Sequence, residues 1–423
     1  MSSTEGRPHP APVDTGERTA LLDVIRGFAL GGVFLSNVYV WMSGMIFLPR
    51  EQFEQSATNL TQKIIGGVFG ILISGKFMTM FTFLFGLGLS VQFARAAERN
   101  DSAVRRYVRR SLGLVCLGVL HLSLLWYGDI VHVYALMGLF VLFFRNRSTK
   151  TLIIWGLLLT LTVVPIGMWL ELSLPKVLAT TDAAKTALAE QTAKSDSFQR
   201  QALEVFRGQS YGSVIRMNWA AYRHFYTGPI FMAYNIATLG NFLLGLAAGR
   251  LKWFQDVPAH RTAFKRMLGW GIVAGIVSVI VAVLIRHFSP SKTPMQDGPV
   301  LSFIMSVLQN VRTLAFALVY MSAIALLFQR PRFQKFFSIY APVGRMALSN
   351  YLAQSAIGMF VFLGLGLGHI GDIRPRWTVI MPCVVFAVQM VLSALWLRYF
   401  RFGPVEWLTR SITYGEWQKM RNG

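Results

Sequence analysis

The sequence predicts an all-α fold: a polytopic membrane helical bundle of about ten transmembrane helices, with both termini cytosolic and one larger outer connection. Three observations predict it. Hydrophobic residues make up 54% of the 423 positions and charged residues only 14%, a balance suited to lipid as solvent. The apolar positions gather into runs of about 20 residues, the length that crosses a hydrocarbon core roughly 30 Å thick. Lys and Arg gather between those runs and alternate in density, 25 on one set of connections and 14 on the other, which is the positive-inside pattern. A net charge of +22 would suggest nucleic-acid binding in a soluble chain. Here the charge lies in short loops between apolar runs, so the lipid bilayer is the expected partner and nucleic acid is not.

Residues 1–20 are polar, carry Pro8, Pro10 and Pro12, and have no signal-peptide pattern, so they read as a disordered cytosolic tail. Residues 21–423 form one transmembrane domain, divided into N-terminal helices (21–172), an outer cap (173–229) and C-terminal helices (230–423). The expected spans are 21–41, 77–94, 112–126, 130–144, 152–172, 231–248, 268–285, 301–327, 343–365 and 379–397. Between the first two lies 60–74, an apolar stretch short for a span, which reads as interfacial or re-entrant. As a true crossing it would turn Arg95, Arg99, Arg105, Arg106, Arg109 and Arg110 outward, against the charge rule. The connection 173–229 holds a polar helical stretch at 182–205 and reads as a small folded cap. Cys116 and Cys383 each lie in an apolar run, so neither a disulfide framework nor a cysteine metal site is expected.

Ionisable groups at membrane depth cost free energy and by default point to function. Asp23 and Arg26 share one face of the first span near its cytosolic end, as an interfacial ion pair or as a site for an arriving phosphate or carboxylate. Asn37 lies fourteen residues beyond Asp23, about 21 Å along the helix and in the outer leaflet. His121, Asp129 and His132 meet around a very short outer turn. A carboxylate beside an imidazole fixes its tautomer and raises its basicity, which suits a general base. The bland alternative is a hydrogen-bonded interfacial histidine beside a Gly128-Asp129 turn. Gln309, Asn310 and Arg312 sit in the middle of the eighth span, lining a cavity or joining helices. Arg345, Ser349, Asn350, Gln354 and Ser355 put a polar stripe on the ninth, for phosphate binding or for packing. No metal site is expected, because no further closely spaced His or Cys completes one.

Several blocks carry a resemblance: Leu22-Asp23-Val24-Ile25-Arg26-Gly27, Phe83 to Gly88, Gly118 to His121, Gly128-Asp129-Ile130 with Tyr134-Ala135, Gly344 to Leu352 with Gln354-Ser355, and Phe402 to Trp407 with Arg410, Ser411, Thr413 and Tyr414. Together they resemble the bacterial YeiB-like membrane proteins, whose C-terminal domain is of unknown function, and they run from the first span to the C-terminus. The resemblance implies more distant kinship with transmembrane acyltransferases, which take an acyl group from a cytosolic coenzyme A thioester to an acceptor across the membrane. It also implies a multi-pass protein of the bacterial cytoplasmic (inner) membrane. The opening of span 1 is similar to theirs, and Asn37 falls where the lysosomal member of that group carries a functional asparagine. That enzyme's next outer loop supplies a catalytic histidine, whereas no histidine lies here between His9 and His121.

The expected function is therefore acyl transfer. His121 and Asp129 are the catalytic pair, and Asp23, Arg26, Arg312 and Arg345 hold an acyl-coenzyme A donor. Asn37, His132, Asn310, Asn350 and Gln354 bind the acceptor, which is a sugar, a lipid headgroup or a metabolite. Two other classes stand beside it: a small-solute transporter or exporter, disfavoured by the missing internal repeat, and a binding protein without chemistry. A homodimer is left open.

Overall fold

The computed structural model describes residues 20–49, 59–98, 103–289 and 298–422. The expected tail lies outside the described residues except for Ala20, which opens the first helix. All the long elements are helical: α1 Ala20–Asn37, α2 Leu60–Val68, α3 Lys76–Glu98, α4 Ala103–Leu124, α5 Val131–Val141, α6 Thr149–Met168, α7 Asp182–Arg207, α8 Tyr211–Tyr226, α9 Pro229–Arg250, α10 Arg261–Phe288, α11 Pro299–Phe328, α12 Ala347–Phe362, α13 Met381–Tyr399 and α14 Pro404–Tyr414. Among the described residues there is no strand. Eight helical segments are long and apolar enough to cross a membrane, and the chain is a multi-pass membrane protein. Two of the ten expected spans are shorter, Val131–Phe144 and Ala347–Phe362. Both sit largely inside the bundle: Tyr134, Ala135 and Val141 of α5 and Tyr351, Val361 and Phe362 of α12 are buried. Helices walled by protein need not match the full hydrocarbon thickness.

The region 60–74 resolves differently from the expected interfacial or re-entrant segment. α2 starts at the level of the loop before α13, where Gln62 donates to the Ile373 carbonyl at 3.0 Å. It continues as a π-helical turn over Phe69–Ile73 and breaks at Ser74-Gly75, with Gly75 at φ +80°. α3 then resumes beside the middle of α1, where the ring of Phe77 packs on Gly32. The Tyr320 hydroxyl donates to the Leu72 carbonyl at 2.8 Å, serving one backbone group freed by the break. Residues 60–93 thus make one crossing in two pieces, and every later connection keeps its side.

Contacts sort the loops into two ends. At one, Gly344 lies against the Asp23 carbonyl, Ile412 of α14 against Gly113, and Arg250 donates to the carbonyls of Arg145 and Arg147. This basic end gathers the arginine-rich connections. At the other, the Gly371 amide donates to the Ser43 carbonyl at 2.7 Å and the Gly364 amide to Phe206 at 2.8 Å. There α7 and α8 form a cap over Phe47, Trp126, Tyr127 and Phe362.

Small residues set the closest crossings. A Cβ on Gly245 of α9 would stand 1.9 Å from the Phe83 carbonyl oxygen of α3, and one on Gly86 would stand 2.0 Å from that of Phe242. In lipid, where apolar burial does not discriminate protein from solvent, such backbone approach is a main source of helix association. Gly245→Ala should lower stability by about 1–3 kcal/mol through overpacking, read as a lower midpoint of thermal unfolding in detergent. Gly67→Ala, whose Cβ meets nothing within 4 Å, should leave the midpoint unchanged.

Candidate functional site

α4 ends at the cap end when the amides of Leu125 and Trp126 both turn back to the His121 carbonyl, at 2.9 and 3.0 Å. The chain then reverses through Tyr127, Gly128 and Asp129 into α5. This tight reversal brings one carboxylate between two imidazoles. His121 Nδ1 is 2.8 Å from Asp129 Oδ1, His132 Nδ1 is 2.6 Å from Oδ2, and the His132 amide donates to Oδ2 at 2.9 Å. Asp129 is wholly buried, and both histidines nearly so. Gly118 makes room for the group, since a Cβ there would meet the His132 amide nitrogen at 2.4 Å and Asp129 Oδ2 at 2.6 Å.

Burial pushes the Asp129 carboxyl up, but the two imidazole hydrogen bonds and the His132 amide outweigh it and hold the group below the usual carboxylate range. An ionised carboxylate accepts hydrogen bonds only, so each imidazole donates Nδ1–H to it and turns Nε2 away. The two rings then differ. His132 Nε2 is 3.0 Å from the Tyr222 hydroxyl of α8, which donates to it. His121 Nε2 is buried with no hydrogen-bond partner among the described residues. The Tyr351 ring packs on His121 with centroids 5.2 Å apart, and its hydroxyl accepts from the Ile130 amide at 3.3 Å.

On the far side of Tyr351 lies a cavity of about 390 Å³ that opens at the basic end. Its mouth carries Arg26, Arg106, Arg110, Arg345 and Arg410. Its depth is lined by Leu30, Val33, Leu84 and Leu114 and ends at Ile130, Val131, Tyr134 and Tyr351. Two acids among the described residues stand beside the mouth. Asp23 pairs with Arg26 at 2.8 Å, and Glu406 accepts the amides of Leu348 and Ser349 at 2.6 and 3.1 Å, capping the start of α12. The mouth is strongly cationic.

Of the residues expected at the site, His121, Asp129 and His132 come together, while Arg26 and Arg345 line the cavity, Asp23 holding Arg26. Arg312 does not join them. It lies beside Thr313 at the break between α2 and α3, near fully buried Lys76, whose Nζ donates to the Gly70 carbonyl at 2.7 Å. Asn310 donates to the Thr160 carbonyl of α6 at 3.3 Å. Asn350 donates to Ser393 at 2.9 Å, and Gln354 to Gln389 at 2.9 Å. These three tie helices together rather than facing the cavity, because in lipid an amide satisfies itself on a neighbouring helix. Asn37 is buried at the end of α1 and lines neither this cavity nor a smaller one beneath the cap. Sequence reasoning missed Arg106, Arg110 and Arg410 as cavity residues, having counted them as loop charge. It also missed Lys76 and, within the cap, Tyr222. Tyr351 lies within the block Gly344 to Leu352, whose pattern carried the only sequence signal for it. Among the described residues no group of three or more His, Cys, Asp or Glu is placed to hold a metal ion.

These features define a multi-pass membrane protein with a cationic cavity leading toward a buried aspartate–histidine cluster. Residues 248–416 match the family described as protein of unknown function (DUF418). The chain is 30% identical to the uncharacterized protein YxaH of Bacillus subtilis (strain 168), across 96% of this chain and 97% of that one. It is 30% identical to the uncharacterized protein YeiB of Escherichia coli (strain K12), across 94% and 96%. An uncharacterized 39.9 kDa protein in the amylase 3' region of Bacillus acidopullulyticus is 26% identical, across 95% and 96%. The chain belongs to this YeiB-like family.

Asp129→Ala strands two buried imidazoles and should cost about 3–5 kcal/mol, the range for breaking a buried pair, seen as a large drop in the unfolding midpoint. Tyr222→Phe removes one hydrogen bond and should cost only about 1 kcal/mol. A drop as large as that of Asp129→Ala would contradict the assigned geometry.

Proposed function

We propose that this chain is a transmembrane acyltransferase of the bacterial inner membrane, taking an acyl group from a cytosolic coenzyme A thioester to an acceptor at the cap end. One observation carries the reading: the arginine-lined cavity ends one ring away from an imidazole whose Nε2 is unengaged. The five arginines suit a polyanionic head, and the apolar depth suits the uncharged arm that bears the thioester. Arg26 and Arg345 from the expected set serve this role with Arg106, Arg110 and Arg410, and the arginine density supports a mouth on the cytosolic side. In the transfer, His121 Nε2 takes the proton of an acceptor hydroxyl or amine as its heteroatom attacks the thioester carbonyl. The carbon–sulfur bond then breaks, and the thiolate leaves with the proton returned by His121. Asp129 keeps the tautomer and stabilises the imidazolium between the two steps.

Purified protein given radiolabelled acyl-coenzyme A should show donor breakdown that disappears in His121→Ala; equal turnover in both sinks the reading. Gly88 lines the cavity and its Cβ would meet nothing within 4 Å. Gly88→Phe should therefore fill the cavity without strain, weakening donor binding by roughly tenfold or more, about 1.4 kcal/mol or above, with the unfolding midpoint unchanged.

A second reading, transport of a small anionic solute, has its own observation. Beside the break at Ser74-Gly75 stand fully buried Lys76 and half-buried Arg312, with no ion-pair partner for either among the described residues and Arg312 Nε buried and unbonded. Discontinuous helices with buried charge are a feature of many transporters. Anion flux in proteoliposomes that is lost in Arg312→Gln but kept in His121→Ala favours this reading over acyl transfer.

A further inference from the structure

We infer that the broken crossing holds a small monovalent anion of the halide class, resident between Lys76 and Arg312 as part of the folded structure. The inference needs neither reading of function, since it asks for residence and not for chemistry or flux. Its ground is a pair of cations that the described residues leave unbalanced. Lys76 has no exposure and donates one N–H to the Gly70 carbonyl at 2.7 Å. An ammonium carries three donors and a guanidinium five. Arg312 Nε is buried and unbonded, and no other nitrogen of its fork finds an acceptor among the described residues. No carboxylate among them pairs with either side chain. The two stand near enough for the charge of Arg312 to bear on Lys76.

Depth makes this arrangement costly without a counter-ion. Arg312 lies midway along α11, which runs from Pro299 to Phe328, so each helix end is about 20 Å or more away. That is beyond the reach of a snorkelling guanidinium. Lys76 opens the 23-residue helix α3, where the helix dipole adds positive charge, disfavours a cation and favours an anion. Water would solvate the two charges without offsetting them, whereas one anion offsets both. Further donation comes from the Thr313 hydroxyl, whose side chain lies against Gly75. Arg312 is half-buried, so the open side of its fork is the way in. The walls select the ion. Phe69 before the break and Met80 after it are buried, and the Phe77 and Tyr320 rings stack 5.6 Å apart. Such apolar surroundings penalise strongly hydrated, multivalent ions such as sulfate and phosphate more than a halide. Neither the arginine-lined cavity nor the one beneath the cap takes in Lys76 or Arg312, so this site is separate from both. It still bears on the larger one, because α3 continues from the break to line it with Phe81, Leu84 and Gly88.

The test uses purified full-length protein in nanodiscs at one ionic strength, with sodium gluconate replaced by chloride, bromide or sulfate. Chloride and bromide should raise the unfolding midpoint by roughly 2 °C or more over gluconate, and sulfate should not. Chloride NMR should show excess linewidth that bromide removes by competition. Arg312→Gln and Lys76→Met should each lose most of the halide shift. The double variant should lose all of it and yet unfold no lower than either single variant, because no lone buried charge is left. Equal midpoints in gluconate and halide, or sulfate as effective as chloride, overturn the inference. So does a chloride signal that survives in the double variant, as one held by the mouth arginines would. Anion flux through Arg312 with no halide shift sinks this inference and leaves the transport reading standing. A halide shift and linewidth with no flux keep the inference and sink the transport reading.

Discussion

A carboxylate with no exposure, held at the reversal between two helices, has to find all its hydrogen bonds within the protein. Asp129 does so by taking the Nδ1–H groups of His121 and His132 and the His132 amide. Stripped of those donors, the charge would cost several kcal/mol in desolvation; with them, it fixes both imidazole tautomers. Much follows from that single arrangement. It requires glycine at 118, because a side chain there would occupy the place of the carboxylate. It fastens α4 to α5, and through His132 and Tyr222 it fastens the cap to the bundle. It also leaves His121 Nε2 buried without a hydrogen-bond partner.

Charge in the rest of the molecule is distributed around that point. The basic end holds the arginines; of the acids beside them, Asp23 pairs with Arg26 and Glu406 caps the start of α12. Glu406 of α14 caps α12, so the C-terminal helix both closes the cavity wall and starts the helix that carries Tyr351. The two shorter membrane helices, α5 and α12, supply the closed end of the cavity. Their interior position lets them stop short of the hydrocarbon thickness and leaves room for a polar mouth below.

Polar residues at membrane depth divide into two kinds that look alike in one dimension. Asn350 with Ser393, Gln354 with Gln389 and Asn310 with Thr160 bond across helix contacts, while Gln354 Oε1 stays buried without a partner. Among the described residues no carboxylate pairs with Lys76 or Arg312, and Lys76 bonds the Gly70 carbonyl at the broken span. The break itself depends on Gly75 at positive φ and on the Tyr320 hydroxyl that serves Leu72.

The sequence by itself determined the helical membrane class, the two-sided distribution of arginine, and the meeting of His121, Asp129 and His132. These depend on local spacing: run length, loop charge, and a turn too short to let its residues part. The family blocks, too, are read from adjacent letters. Only the tertiary structure decided that 60–93 is one broken crossing and that Arg312 stands apart from Arg26 and Arg345. It alone brought Arg106, Arg110 and Arg410 around one cavity, and set Tyr351 and Tyr222 on the two sides of the cluster. The physical reason is that periodicity tells which face of a helix is polar but not which neighbour that face meets. In lipid, where apolar burial cannot choose between faces, glycine contacts and interhelical hydrogen bonds make that choice, and these join residues far apart in the chain.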